Sequence, residues 1–357
     1  MDIPVYIVYF IGAWILVNTL YIVLKKIVRS EKTSIELQYY TILLVKKKYE
    51  GISSTSSGVL PYVCIALFII ALFFAIQSLA SLIYTGLFKG SREVVILLPG
   101  LNITGNDLLY FAIAVGVGVV LHEYMHAKIA LKTGIPVKSY GFILALILPA
   151  AFVEIDEKIF AEASKKVKTA ILAAGVAVNL VVALLALGIL QFTVSPSGFI
   201  IREVEQETPA SRAGLKPGDV VYEINGSPAN LTALREIMSR NESLTIELLV
   251  YRPGSGYKNI TVWKNPVEDK LGVILEPIAP SRNLLNIIDP FIFLGLVRLL
   301  LWIHIVNYSL VFINTLPLFI TDGGRIVIEV AGKKVGSIVN SITLALLALA
   351  LLLSARI

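Results

Sequence analysis

The sequence predicts a polytopic α-helical membrane protein with about six transmembrane helices, a re-entrant hairpin and one inserted small β-rich domain. Three observations carry this prediction. Of 357 residues, 56% are hydrophobic, and the mean hydropathy of +0.80 is too high for a soluble chain of this length. The apolar residues gather in runs near the roughly 20 residues that a helix needs to cross a bilayer core. Between two of those runs, the stretch 195–280 is polar and alternates like strands.

The runs lie at 3–24, 59–87, 107–127, 169–192, 299–320 and 335–355. The first is too long for the core of a cleavable signal peptide and leads straight into Lys25 and Lys26, so no such peptide is expected. YGFILALILPAAFVE (140–154) is shorter than a span and is interrupted by Pro149. It reads as a re-entrant hairpin, since non-helical backbone at membrane depth survives only against protein or water. Residues 283–298 contain Asp289, Pro290 and Arg298 and read as an interfacial lead-in to the fifth span. The expected organisation is two N-terminal spans with a basic loop (1–106), a first core segment (107–193), the β-rich domain (194–282) and a second core segment with the last span (283–357).

Lysine and arginine set the expected orientation. The loop 25–58 carries seven of them (Lys25, Lys26, Arg29, Lys32, Lys46, Lys47, Lys48), residues 128–168 another seven and 321–334 three, whereas 88–106 has only Lys89 and Arg92. The positive-inside rule turns the first three toward the cytoplasm of a multi-pass cell-membrane protein and puts the β-rich domain outside. Asn102, Asn225, Asn230, Asn241 and Asn259 begin Asn-x-Ser/Thr triplets in segments assigned outside. The net charge of +6 comes from residues flanking apolar runs and points to the lipid bilayer, with no nucleic-acid partner expected. Cys64 is the one cysteine, which excludes an internal disulfide and a Cys-rich zinc site.

Within the polar stretch, Ala213-Gly214 and Lys216-Pro217-Gly218-Asp219 carry turn chemistry between alternating segments. The stretch resembles a PDZ domain of the permuted kind. The resemblance implies a peptide ligand, with Leu271-Gly272-Val273-Ile274 as the loop and strand that receive it, and so makes Gly272 a binding candidate.

The chemistry gathers in LHEYMHAKIA (121–130), at the end of a run with no charged residue from Leu108 to Leu121. His122 and His126, four apart, share one helix face and suit Zn²⁺. Glu123 falls beside them, placed to take a proton from water. Ionisable groups in a span are costly and point to function. Zinc needs a third protein ligand, and depth ranks the candidates. Asp322 reaches the same side as His122 and His126, while His304 lies 18 residues earlier, about 27 Å away along a helix. Asp322 is the better choice, because Pro317 and Gly323-Gly324 break the helix and let the chain turn inward. Asn179 and Asn314 lie at a similar depth in two further spans, either as helix-packing residues or as parts of one buried polar site.

His122-Glu123-x-x-His126, Gly175-x-x-x-Asn179 and Asn314-x-x-Pro317-x-x-x-x-Asp322-Gly323 together resemble, in this order, the site-2 protease family of intramembrane zinc metalloproteases. The PDZ-like insertion between the last two signatures fits as well. PAAFVE (149–154) resembles the family's hairpin, with Ala150 where glycine is usual. The likeness covers roughly 107–330. It implies Zn²⁺ held by His122, His126 and Asp322 near the cytoplasmic side, and Glu123 as general base. It further implies single-span membrane-protein substrates that unwind locally, and Asn179 and Asn314 as holders of the substrate backbone or the hairpin. Rival readings include a divalent metal transporter, which needs ligands across the whole bilayer, and an inactive PDZ-bearing scaffold, against which the intact Glu123 argues. Another membrane zincin, such as a prenyl-protein peptidase, leaves the Asn/Pro/Asp-Gly signature and the insert unexplained.

Overall fold

The structure is a computed structural model that describes residues 5–28, 30–49, 58–90 and 94–356. Arg29 and Arg92, counted above for orientation, lie outside the described residues. Along the chain come α1 (Val5–Ile27), β1 (Thr33–Gln38), β2 (Ile42–Lys48), α2 (Leu60–Phe88), β3 (Val94–Val95), α3 (Asn106–Lys132), β4 (Val137–Ala145), β5 (Leu148–Ile155), α4 (Glu157–Glu162) and α5 (Lys165–Thr193). The inserted domain follows as β6 (Phe199–Val204), α6 (Pro209–Arg212), β7 (Val220–Ile224), β8 (Ser227–Pro228), α7 (Leu231–Met238), β9 (Leu244–Arg252), β10 (Gly256–Lys264) and β11 (Val273–Glu276). The chain closes with α8 (Pro290–Thr315), α9 (Asp322–Ala331), α10 (Lys333–Ser354) and β12 (Ala355–Arg356).

Six of the described helices are long and apolar enough to cross a membrane, and the chain is a multi-pass membrane protein. Two compact units divide it: residues 1–185 with 302–357, and residues 186–301.

In the first unit α5 is the hub. Its most apolar 18-residue stretch is 67% buried inside the protein, against 28% or less for the other five spans. The reason is composition. Ala170, Ala173, Ala174, Val176 and Ala177 are all buried, and small side chains let helix backbones approach where lipid supplies no hydrophobic drive. Cys64, Phe68 and Ala71 of α2, Ile129 and Ala130 of α3, Val311 of α8 and Ile326 of α9 pack around them.

The segment 137–155 is a β-hairpin rather than a seventh helix, as its length and Pro149 suggest. The stretch 25–58, read as a basic loop, contains the antiparallel pair β1–β2, and β2 pairs with β4, giving a four-stranded sheet in the order β1-β2-β4-β5. Both hairpin tips lie at one end of that sheet, where Leu146 N–H donates to Thr41 O at 3.0 Å. One tip meets α1, since Asn18 Nδ2 donates to Tyr40 O at 3.1 Å. At the other, Pro149 Cγ lies 3.4 Å from where a Cβ on Gly116 of α3 would stand. A stretch of alternating residues closed by Lys46, Lys47 and Lys48 looks like a loop by charge, and its pairing with β4 is set by tertiary contact.

A second correction concerns the fifth span. Residues 283–298 are not only a lead-in, because α8 begins at Pro290 and ends at Thr315. Asp289 caps it, its Oδ1 accepting from Phe291 N–H at 2.8 Å, and Pro suits the first helical turn. Arg298 sits inside the helix with its charge met by Glu276, 3.0 Å away.

The second unit holds a sheet in the order β10-β9-β7-β6-β11, with β8 on β7. Its core packs Phe199, Ile201, Val221, Ile246, Leu248, Val250 and Val262 from the strands against Leu234 and Met238 of α7. Asp219 is buried, and Arg252 donates to both its oxygens at 2.7 and 2.6 Å. Such a bidentate, charge-assisted pair fixes geometry as well as charge. Arg252→Lys keeps the charge and loses the fork, so the domain's midpoint of thermal unfolding is expected to fall by several degrees.

Candidate metal centre

Two helices deliver the site. His122, Glu123 and His126 lie on α3, whose 27 residues run without proline. Nitrogen or oxygen atoms of these three residues lie within 4.8 Å of one another. Asp322 arrives from the other end of the chain as the first residue of α9. The turn 316–321 that aims it is tied by one side chain. Thr321 Oγ1 donates to Leu316 O at 2.7 Å and accepts from Leu318 N–H and from Gly324 N–H, each at 3.2 Å. Gly323 and Gly324 sit against the carbonyl oxygens of Thr315 and Leu318, where no Cβ would fit. From α10, Asn340 Nδ2 donates to Gly324 O at 3.4 Å.

The result is convergence. His122 Nε2 lies 3.1 Å and His126 Nε2 3.3 Å from the same oxygen, Oδ2 of Asp322, with all three side chains mostly buried. His126 Nδ1 is 2.7 Å from the carbonyl oxygen of Ile171. A carbonyl only accepts, so that nitrogen carries the proton and Nε2 of a neutral ring presents its lone pair to a carboxylate oxygen. Two acceptors facing each other require a cation between them, a proton or a metal ion. Zinc with N and O ligands at about 2.0–2.1 Å has ligand atoms about 3.3 Å apart along each edge of its tetrahedron. The donor set and spacing therefore fit a zinc ion with His122, His126 and Asp322 as ligands.

Glu123, beside the two histidines on α3, reaches β5, where its Oε2 accepts from Val153 N–H at 3.1 Å. It lines a groove of about 860 Å³ between α3 and the four-stranded sheet.

The remaining sequence candidates fall in different places. Asn179 is fully buried, and its amide nitrogen, turned toward the two carbonyls, lies 3.3 Å from both Gly118 O and Gly175 O. It ties α5 to α3, and its amide is engaged inside the protein. Asn314 is half-buried and makes no side-chain hydrogen bond among the described residues. His304 Nδ1 lies 2.9 Å from Ala183 O, in keeping with a packed histidine of α8. Gly272 has φ +80° just before β11, and its carbonyl accepts from Glu205 N–H at 2.9 Å.

Gly175 carries a role the signature alone does not reveal. A Cβ there would stand 2.5 Å from the imidazole of His122. Gly118, one turn before His122, likewise abuts Asn307 of α8. Gly175→Ala is therefore expected to push the His122 ring out of place, lowering bound zinc and costing about 1–3 kcal/mol of stability by overpacking. Metal analysis and thermal unfolding of the purified variant check both.

Comparison with known proteins bears on this geometry. The family model described as peptidase family M50 matches residues 110–353, which include His122, Glu123, His126 and Asp322. The chain belongs to peptidase family M50, the site-2 protease family. An uncharacterized protein of Methanocaldococcus jannaschii is 33% identical over 215 residues, 59% of this chain and 54% of its own length. The chain thus spans about half the length of that curated relative. The M50 match reaches α3, α5, α8, α9 and most of α10, and begins after β1 and β2 of the four-stranded sheet.

Proposed function

We propose that the chain is an intramembrane zinc endopeptidase that cuts single-span membrane proteins. The observation that carries this reading is the meeting of His122, His126 and Asp322 at one point, with Glu123 beside them on the groove. M50 membership supports the hydrolytic class. A bound zinc ion would supply a Lewis acid that polarises the scissile carbonyl and makes water acidic. The chain's own residues do the rest. Glu123 accepts the water's proton and returns it to the departing amine. Val153 N–H holds the Glu123 carboxylate to β5 until substrate arrives. Since Val153 N–H points away from β4, strand alternation turns the N–H and C=O of Ala151 to the same outer edge. That edge takes an unwound substrate segment by strand addition, and Asn314, with its amide free, is the candidate for holding the substrate backbone.

The same reading gives the second unit a PDZ-like role. β11 is the terminal strand of its sheet, and Gly272 opens it, so a peptide ligand would add beside β11. The lysine bias puts this domain outside the cytoplasm and the metal centre near the cytoplasmic side. Cysteine labelling at Ser255 in intact cells tests the side, and modification only after permeabilisation overturns it.

The proposal as a whole is tested with purified protein and a single-span substrate in vesicles. The expected product, read by mass spectrometry, ends within the apolar segment. Chelation stops its formation and Zn²⁺ restores it. A cut outside the segment, or one indifferent to chelation, sinks the reading.

A further inference from the structure

The groove beside Glu123 has a charge pattern that the hydrolytic chemistry does not use. One wall is a single face of α3, with Glu123, Tyr124, Ala127, Lys128, Leu131 and Lys132 along it. Its floor is one face of the sheet, where Lys47 of β2 stands opposite Tyr140 of β4, and Tyr140 opposite Val153 of β5. Thus a row of paired residues joins the backbone partner of Glu123 to a lysine. Lys47, Lys128 and Lys132 all line the groove, and among the described residues Glu123 is its one carboxylate. Lys128 and Lys132 are half-buried, and among the described residues none of the three lysines has a carboxylate within salt-bridge distance, whereas Lys46 and Lys138 on the same sheet are paired with Glu154 and Asp156. Lys128 Nζ instead sits 5.7 Å from the centre of the Tyr124 ring. Half-buried ammonium groups without a counter-charge are costly and are relieved by an anionic partner.

We propose that this end of the groove selects substrates carrying an acidic side chain close to the scissile bond. The inference rests on the proteolytic reading above. Along α3, Lys128 and Lys132 lie about 7.5 and 13.5 Å beyond Glu123 at the helical rise. An extended peptide covers that distance in about two to four residues. The acidic residue therefore stands about two to four positions from the cut, on the side that leaves the groove past Lys132. An aspartate or glutamate of the substrate fits better than a lipid phosphate, because the lysines share a groove with Glu123 and the row through Tyr140 leads from that site to Lys47.

The test uses the full chain in neutral phosphatidylcholine vesicles and single-span substrates that differ only in Glu, Gln or Lys at those positions. Wild type is expected to favour Glu over Lys by about tenfold or more in kcat/KM, the scale of one well-placed charge pair. The Lys128→Glu/Lys132→Glu double variant is expected to reverse the order, and Lys128→Arg/Lys132→Arg to keep it. The same ranking in wild type and the double variant overturns the proposal. So does an effect of the double variant that appears only when anionic lipid is added and ignores substrate charge, which would mark the lysines as a lipid contact. Binding of the same fluorescent substrates to Glu123→Gln separates this inference from the one beneath it. If wild type cuts nothing while the binding preference and its reversal persist, the protease reading falls and acidic recognition stands. Cleavage with no charge preference has the opposite meaning.

Discussion

Glu123→Gln is expected to retain zinc, fold and substrate binding while losing cleavage by at least about two orders of magnitude, the usual scale for a general base. The substitution is nearly isosteric and keeps an oxygen that can accept from Val153 N–H, so β5 should hold its place beside α3. What it removes is the capacity to take a proton. Cleavage is read as initial rate on a single-span substrate, and retained fold as an unchanged midpoint of thermal unfolding. Turnover within a few-fold of wild type would remove Glu123 from the mechanism.

The second large effect separates two residues that the sequence ranks only by depth. Asp322→Ala is expected to lose metal and activity together, with zinc affinity falling by at least about two orders of magnitude, because even outer-shell partners of a ligand are worth 10–100-fold. His304→Ala is expected to keep both. The geometry supports the contrast. Asp322 Oδ2 is shared by His122 and His126 at 3.1 and 3.3 Å, whereas among the described residues His304 hydrogen-bonds the backbone oxygen of Ala183 alone. Equilibrium dialysis against a zinc-specific dye measures the first quantity. Stoichiometric zinc in Asp322→Ala, or loss of zinc from His304→Ala, would show a different third ligand.

Much of this site could be read from the sequence because helix periodicity and metal chemistry are local rules. Two histidines four apart with a glutamate between them specify a helix face, and Pro317 with Gly323-Gly324 specifies a break that frees Asp322. What escaped was set by contacts between distant segments. β1 and β2 carry lysines that mask a strand pattern, and their place beside β4 depends on a hairpin some hundred residues away. α8 begins at Pro290 because Asp289 caps it and Glu276 answers Arg298, so a charged residue that suggested an interface lies inside the helix. Gly175 and Asn179 are visible as a motif, but their surroundings are not: a Cβ on one would strike the His122 ring, and the amide of the other faces carbonyls of α3 and α5. Gly118, Asn307, Thr321 and Asn340 gave no signal, since a single small or polar residue in a span is common and only its neighbours tell what it does.

The central claim is that His122, His126 and Asp322 hold one metal ion beside Glu123. X-ray absorption at the zinc edge on purified Glu123→Gln tests it most directly, because that variant keeps the ligands and cannot turn over. The account predicts one zinc per chain with two imidazole nitrogens and otherwise oxygen donors. An absent metal, a single imidazole, or a sulfur ligand from Cys64 would contradict it.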